Sequence, residues 1–181
     1  SSRIDAKNIL DVVQIDEYTY QHVNYLTFID VCTGQPWVRR ICKVGVAKRQ
    51  PGIYKQYLHR EYMIWESSLP KIPIKLHVDN EASLVTIPHN NIQPNPVHYP
   101  QMNGKIERLH KQIATLCRIH NSTPDKIQAH LPFYVTPATG GGDDEATESK
   151  VAESKVLYDG RTLNIGDLVR IRVNPRGRDK N

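Results

Sequence analysis

The chain is poor in cysteine. Cys32, Cys42 and Cys117 are its only three, odd in number and widely spaced. Such a set does not suit a disulfide framework or a zinc site, and the expectation is reduced thiols in an intracellular protein. Long hydrophobic runs are missing too: no stretch of ~18 apolar residues occurs, so no membrane-spanning segment is expected. The opening residues SSRIDAKN lack the apolar centre of a secretion signal. There are no internal repeats, and the eight histidines show no metal-ligand spacing.

What remains is an ordinary soluble composition, 39% hydrophobic and 24% charged, with mean hydropathy −0.53. At 181 residues there is room for one well-buried domain and a small appendage. The net charge of +5 favours a polyanionic partner without naming one. Its distribution is uneven. Asp143, Asp144, Glu145 and Glu148 make an acidic patch, whereas the last 32 residues set eight Lys and Arg against four Asp and Glu.

Asp11 to Tyr18 and Tyr25 to Val31 are rich in β-branched and aromatic residues and lie either side of a short polar stretch, the pattern of an antiparallel hairpin. A third strand, Trp37 to Val44, follows the turn signal Thr33-Gly34-Gln35-Pro36. Over Pro51 to Glu66, Tyr54, Leu58, Tyr62 and Trp65 recur at helical spacing behind a leading proline, and they read as core, not as base-stacking groups. Ile74 to Val78 then reads as a buried strand. A helical crossover makes that strand parallel to its neighbour, placing Asp79 at the carboxyl edge of the sheet, where open α/β sheets build sites. Pro88, Pro94, Pro96 and Pro100 break any long element before a clear helix opens at Asn103-Gly104. Asn103 is the candidate N-cap, Ile106, Leu109, Ile113 and Leu116 the apolar stripe, and Lys111 sits one turn beyond Glu107. Thr136 to Gly142 reads as a linker. Leu168 to Val173 reads as a strand of a small basic β module, too short to close a barrel alone.

Asp16, Asp79 and Glu107 stand on three separate elements that could converge. Converging carboxylates repel one another unless a hard cation neutralises them, so such a group suits Mg²⁺ or Mn²⁺. Two such ions can serve an in-line phosphoryl displacement. Each acid also has a plainer reading. Asp16 and Asp79 could be buried aspartates satisfied by strand-end amides, and Glu107 a helix-surface glutamate favoured by the N-terminal dipole. Asp30 is read as structural, bonded to the Thr33-Gly34 turn. Asp143-Asp144-Glu145 is a solvated run, and His77 is strand filling.

The strings VVQIDEYTY, YLTFIDVCTG, KLHVDN and YPQMNGKIERLHKQI resemble, in order, the catalytic core of retroviral and long-terminal-repeat retrotransposon integrases. NGKIERLH is most similar to the gypsy-type branch, and LNIGDLVRIRVNPRGR resembles the start of that family's SH3-like C-terminal domain. The resemblance implies an α/β, RNase H-like mixed five-stranded sheet with flanking helices over 1–135, a linker over 136–153, and an incomplete, basic, all-β SH3-like segment over 154–181. It implies that Asp16, Asp79 and Glu107 bind two Mg²⁺ or Mn²⁺ ions. It further implies that Pro100, Gln101, Asn103 and Gly104 form a mobile active-site loop, that Lys111 contacts terminal DNA, and that His98 lies near the DNA end. Arg170, Arg172, Arg176 and Arg178 could be plain solvated surface; within the resemblance they would meet phosphates. The implied partners are double-stranded DNA, both element ends and target, and further copies of the chain, at least a dimer and on DNA a tetramer or larger, in the nucleus.

The sequence departs from that pattern in two places. Glu81 stands where a glycine usually follows the Asp-Asn pair, and 27 residues separate Asp79 from Glu107 where the family has about 35. Either the core is shortened around Thr86 to Gln93, or ordered pieces are joined across a gap. The abrupt IPHNNIQPNP text favours the gap, and Thr139 to Asp143 invites the same reading. The family's N-terminal zinc-binding domain is not present, so a fragment is expected. Three readings follow: an integrase performing end processing and strand transfer; a catalytically inactive, retroelement-derived DNA- or chromatin-binding protein; and an RNase H-like nuclease.

Overall fold

The computed structural model describes residues 6–79, 81–94 and 100–131, together with two short strands at 134–135 and 170–171. Three antiparallel strands come first: β1 (Val12–Tyr20), β2 (Val23–Asp30) and β3 (Pro36–Lys43). A short helix α1 (Val44–Arg49) and a long one, α2 (Pro51–Ser67), lead to β4 (Lys75–Val78), β5 (Ile92–Pro94) and helix α3 (Pro100–His120). The sheet order is β3-β2-β1-β4-β5, with β4 parallel to β1 and β5 parallel to β4. This is the mixed five-stranded sheet of the RNase H-like α/β fold.

Strand alternation divides the core into two. Val13 and Ile15 of β1 and Leu26 and Phe28 of β2 pack with Leu58, Tyr62 and Trp65 of α2. Phe28 stacks on Trp65 with ring centroids 3.9 Å apart, and Trp37 meets the same indole edge-on. On the opposite face, Tyr25 and Ile29 of β2 and Val38 of β3 pack with Ile106, Leu109, Ile113 and Cys117 of α3. The sheet is therefore held between two helical layers, each built from the apolar stripe its sequence carries. Among the described residues, no helix is long and apolar enough to cross a membrane.

The turns explain local choices. Gln21 and His22 join β1 to β2 with φ of 46° and 61°, the doubly left-handed form whose twist suits a hairpin. Gly34 has φ 79°, and its N–H donates to the Asp30 carbonyl at 2.7 Å. The buried Asp30 carboxylate accepts from the N–H of Leu10 (2.9 Å) and from the N–H and hydroxyl of Thr33 (2.8 and 2.6 Å). Its structural reading holds.

Two expectations are corrected. Helix α1 was missed: VGVAKR, with two valines and a glycine, reads poorly as helix, yet Val46 and Ala47 pack against the first core. Helix α3 starts at Pro100, so Asn103 lies inside its first turn and is not the N-cap; a proline at the first helical position loses no hydrogen bond. The connection from β4 to β5 contains a 3₁₀ turn (Leu84–Thr86) and, among the described residues, no α-helix. That short path is closed by burying Leu84 and Ile87 and by His89, which donates from Nε2 to the Pro73 carbonyl (2.7 Å) and accepts at Nδ1 from the Asn91 N–H (3.0 Å).

Arg170–Ile171 forms a strand that pairs in parallel with Tyr134–Val135. Asn80, His98, the expected linker, the acidic run at Asp143, Arg172, Arg176, Arg178 and the rest of the basic module lie outside the described residues.

Candidate active site

The register places two of the sequence-predicted carboxylates side by side. Ile15 of β1 pairs with Val78 of the parallel β4, so Asp16 and Asp79 are the next residues along two adjacent strands. Neighbouring strands lie ~4.8 Å apart, and residues at one level of a parallel pair project to one face. The third acid arrives from the helix: Glu107 is exposed in the second turn of α3, the helix that covers this face.

Asp16 registers the crowding. Its carboxyl is pushed up to about 7, first by burial and then by the charge of Asp79, with further contributions from Glu17 and Glu107. A 2.8 Å hydrogen bond from the Glu17 N–H to Asp16 Oδ1 works in the opposite direction.

Two more acids join the group, and sequence reading assigned neither of them a role. Glu17 follows Asp16 in β1, so it projects to the α2 side of the sheet, where Ser83 Oγ donates to Glu17 Oε1 at 2.7 Å. Glu81, which departs from the integrase pattern that the sequence resembles, is exposed overall, yet its carboxyl is pushed up to about 7. The causes are burial of one side, a hydrogen bond with Glu17, and the charges of Glu17, Asp16 and Asp79. The buried Tyr54 hydroxyl approaches Glu17, and burial together with that charge raises its pKa. The available signal was alternation: an acid next to Asp16 must project to the other face, toward whatever follows β4.

The donor set suits a hard divalent cation. It is all carboxylate, and Asp16 shows the repulsion that such a cation would relieve. Among the described residues, no three His, Cys, Asp or Glu groups are already arranged around a single ion position.

One further residue ties the site together. His110 lies one turn after Glu107 on α3, its Nε2 2.9 Å from Thr27 Oγ1, and Thr27 Oγ1 donates to the Asp16 carbonyl at 3.0 Å. The imidazole stacks on Tyr18 with ring centroids 4.5 Å apart. Burial pushes His110 down to about 4, so it is neutral at ordinary pH.

The remaining candidates fall as follows. Lys111 is exposed on α3, one turn beyond Glu107 as expected. Pro100, Gln101, Asn103 and Gly104 were expected in a mobile loop, and the structure places them in the first turn of α3. A proline at the first helical position and no breaker before Gly104 account for this. A Cβ at Gly104 would meet nothing within 4 Å, so no steric requirement holds glycine there.

No family model and no curated protein matches the sequence. Among solved structures, the chain is similar to the catalytic core domain of BIV integrase, at 13% identity with a TM-score of 0.49, over 79% of this chain and 97% of that one. A likeness of this degree carries no argument; the fold rests on the strand order and register, and the chemistry on the side chains, described above.

Proposed function

We propose that this chain is a divalent-metal-dependent polynucleotidyl transferase of the integrase type, acting on DNA ends. The observation that supports it is Asp16 beside Asp79 on adjacent strands, its carboxyl raised by burial and by the charge of Asp79, with a smaller contribution from Glu107 on α3. In this reading Asp16, Asp79 and Glu107 would hold a pair of Mg²⁺ or Mn²⁺ ions. When bound, such ions activate an attacking oxygen and stabilise the leaving oxygen of an in-line displacement. The proposed reaction is hydrolysis of a phosphodiester near the element's DNA end, followed by attack of the freed 3′-hydroxyl on target DNA. The protein needs no covalent intermediate; its own work is to fix the carboxylates and the strand.

Lys111, exposed on the Glu107 helix, supplies a cation for the DNA backbone. His98, the first turn of α3 (Pro100, Gln101, Asn103, Gly104) and the basic residues Arg170, Arg172, Arg176 and Arg178 complete the proposed DNA contacts. Joining two ends requires two active sites, so the chain is proposed to work as a homo-oligomer on DNA, in the nucleus, with the region 154–181 as the start of a second DNA-binding module. Asp79→Asn is expected to abolish strand transfer in an oligonucleotide joining assay while leaving DNA binding within about twofold; undiminished joining would falsify the assignment.

Glu81 and the 27-residue spacing from Asp79 to Glu107 favour a second reading, a retroelement-derived DNA- or chromatin-binding protein without catalysis. Joining of a preprocessed DNA end by the unmodified chain in Mn²⁺ excludes it. Cutting without joining in the same assay would instead identify a nuclease.

A further inference from the structure

We propose that His110 is a positioning residue that sets how far Glu107 stands from Asp16, by tying helix α3 to strand β1 through Thr27 and Tyr18. This rests on the reading that Asp16 and Glu107 hold a divalent cation. Asp16 lies on β1 and Glu107 on α3, two separate elements whose relative placement depends on tertiary contacts. Apolar packing of Ile106, Leu109 and Ile113 holds the helix on the sheet, but dispersion contacts are individually weak and only loosely directional. A hydrogen bond fixes both distance and rotation.

The protons can be assigned. A threonine hydroxyl has one proton, and Thr27 gives it to the Asp16 carbonyl at 3.0 Å. Toward His110, 2.9 Å away, Thr27 Oγ1 can therefore only accept, so the imidazole carries its proton on Nε2. The chain His110 Nε2–H to Thr27 Oγ1–H to the Asp16 carbonyl ends on the backbone of the very residue whose carboxylate would hold the cation. Tyr18, two residues along the same face of β1, holds the other side of the ring at a 17° interplanar angle. His110 thus grips β1 at two points flanking Glu17. Residues three apart on a helix are surface neighbours, so a rotation of α3 that broke this grip would swing Glu107 with it.

The test is Mn²⁺ binding to the full chain without DNA, followed by calorimetry and by the EPR signal of the free ion, alongside thermal unfolding in EDTA. His110→Phe keeps a ring over Tyr18 and removes the donor. Its Mn²⁺ affinity is expected to fall about tenfold, the scale of losing a partner that orients a metal ligand. Thr27→Val should lose a similar amount, and the double variant no more than either single one, because both interrupt one chain. His110→Gln returns an N–H of similar reach and is expected to stay within about threefold of the unmodified chain while the ring is absent. The Mg²⁺ concentration needed for half-maximal joining should move with the Mn²⁺ affinity, with the KM for DNA unchanged.

Wild-type affinity in His110→Phe would overturn the proposal alone and leave the metal site standing. So would a tenfold loss in a folded His110→Gln, since the lost feature would then be the ring and not the donor. If His110→Phe does not fold, the Gln and Val variants decide between the same outcomes. Failure of the unmodified chain to bind Mn²⁺ would overturn both this inference and the metal reading on which it rests.

Discussion

Replacing Asp16 by asparagine is expected to stabilise the metal-free protein at pH 8 while removing its capacity for divalent cations. Folding raises this carboxyl from its ordinary 3.8 to about 7. Between those values the native state keeps a proton that the unfolded chain has released, so stability falls as pH rises from about 4 to about 7 and then levels off. At 1.36 kcal/mol per tenfold change in proton affinity, the full rise corresponds to a ceiling of about 4 kcal/mol. Asparagine is uncharged at every pH and keeps an oxygen for the Glu17 N–H, although its amide must find an acceptor of its own. A net gain of about 1–3 kcal/mol is therefore expected at pH 8, roughly 3–10 °C in Tm for a domain of this size. The assay is thermal unfolding by circular dichroism in EDTA at pH 5 and pH 8. The gain should be clearly smaller at pH 5, where only the part of the penalty between about pH 4 and 5 has developed, and should vanish below about pH 4, where the wild-type carboxyl is protonated in both states. Glu81, raised to about 7 by burial and by its hydrogen bond with Glu17, adds a slope of the same sign to the wild-type curve. Adding Mg²⁺ should raise the wild-type Tm and leave the variant unmoved. A variant less stable than wild type at pH 8, or a difference independent of pH, would show that folding does not raise the Asp16 carboxyl.

Two further substitutions probe the scaffold. Ile113 is fully buried on the sheet-facing side of α3, so Ile113→Ala is expected to cost about 2–5 kcal/mol in urea unfolding; a loss below 1 kcal/mol would mean that α3 is not seated on the sheet as described. Asp30→Ala strands two buried N–H groups and a hydroxyl at once and should cost about 3 kcal/mol or more, and near-wild-type stability would refute its role as the clamp of the β2–β3 turn.

Much of this arrangement was legible in the residues because local pattern and tertiary packing agree. The three strands and α2 stand within a few residues of where alternation and helical spacing put them, and the crossover made β4 parallel. Tyr54, Tyr62 and Trp65 are core, and Asp30 binds its own turn. Where the reading failed, tertiary context overruled a local signal. Pro100 looks like a breaker and is a helix start. Pro94 lies in β5, an edge strand, where a missing N–H is tolerated. The composition of α1 argues against a helix that packing nevertheless holds. The acid cluster divides the same way: strand ends and motif pointed to Asp16, Asp79 and Glu107, but the approach of Glu17 to Ser83, 66 residues away, depends on how the β4–β5 connection folds back. His110 was invisible as a linker because its partners lie on two other elements and its spacing from any acid is that of an ordinary helix.

The central claim, that Asp16, Asp79 and Glu107 together hold the ions of a phosphoryl-transfer site, is tested most directly by a crystal structure with Mn²⁺ and a DNA end, read by the anomalous signal. The account expects two manganese peaks ~3.5–4 Å apart, ligated by these three carboxylates, with the terminal phosphodiester between them. Ions bound elsewhere, or a Glu107 turned away from Asp16 and Asp79 with DNA in place, would contradict it.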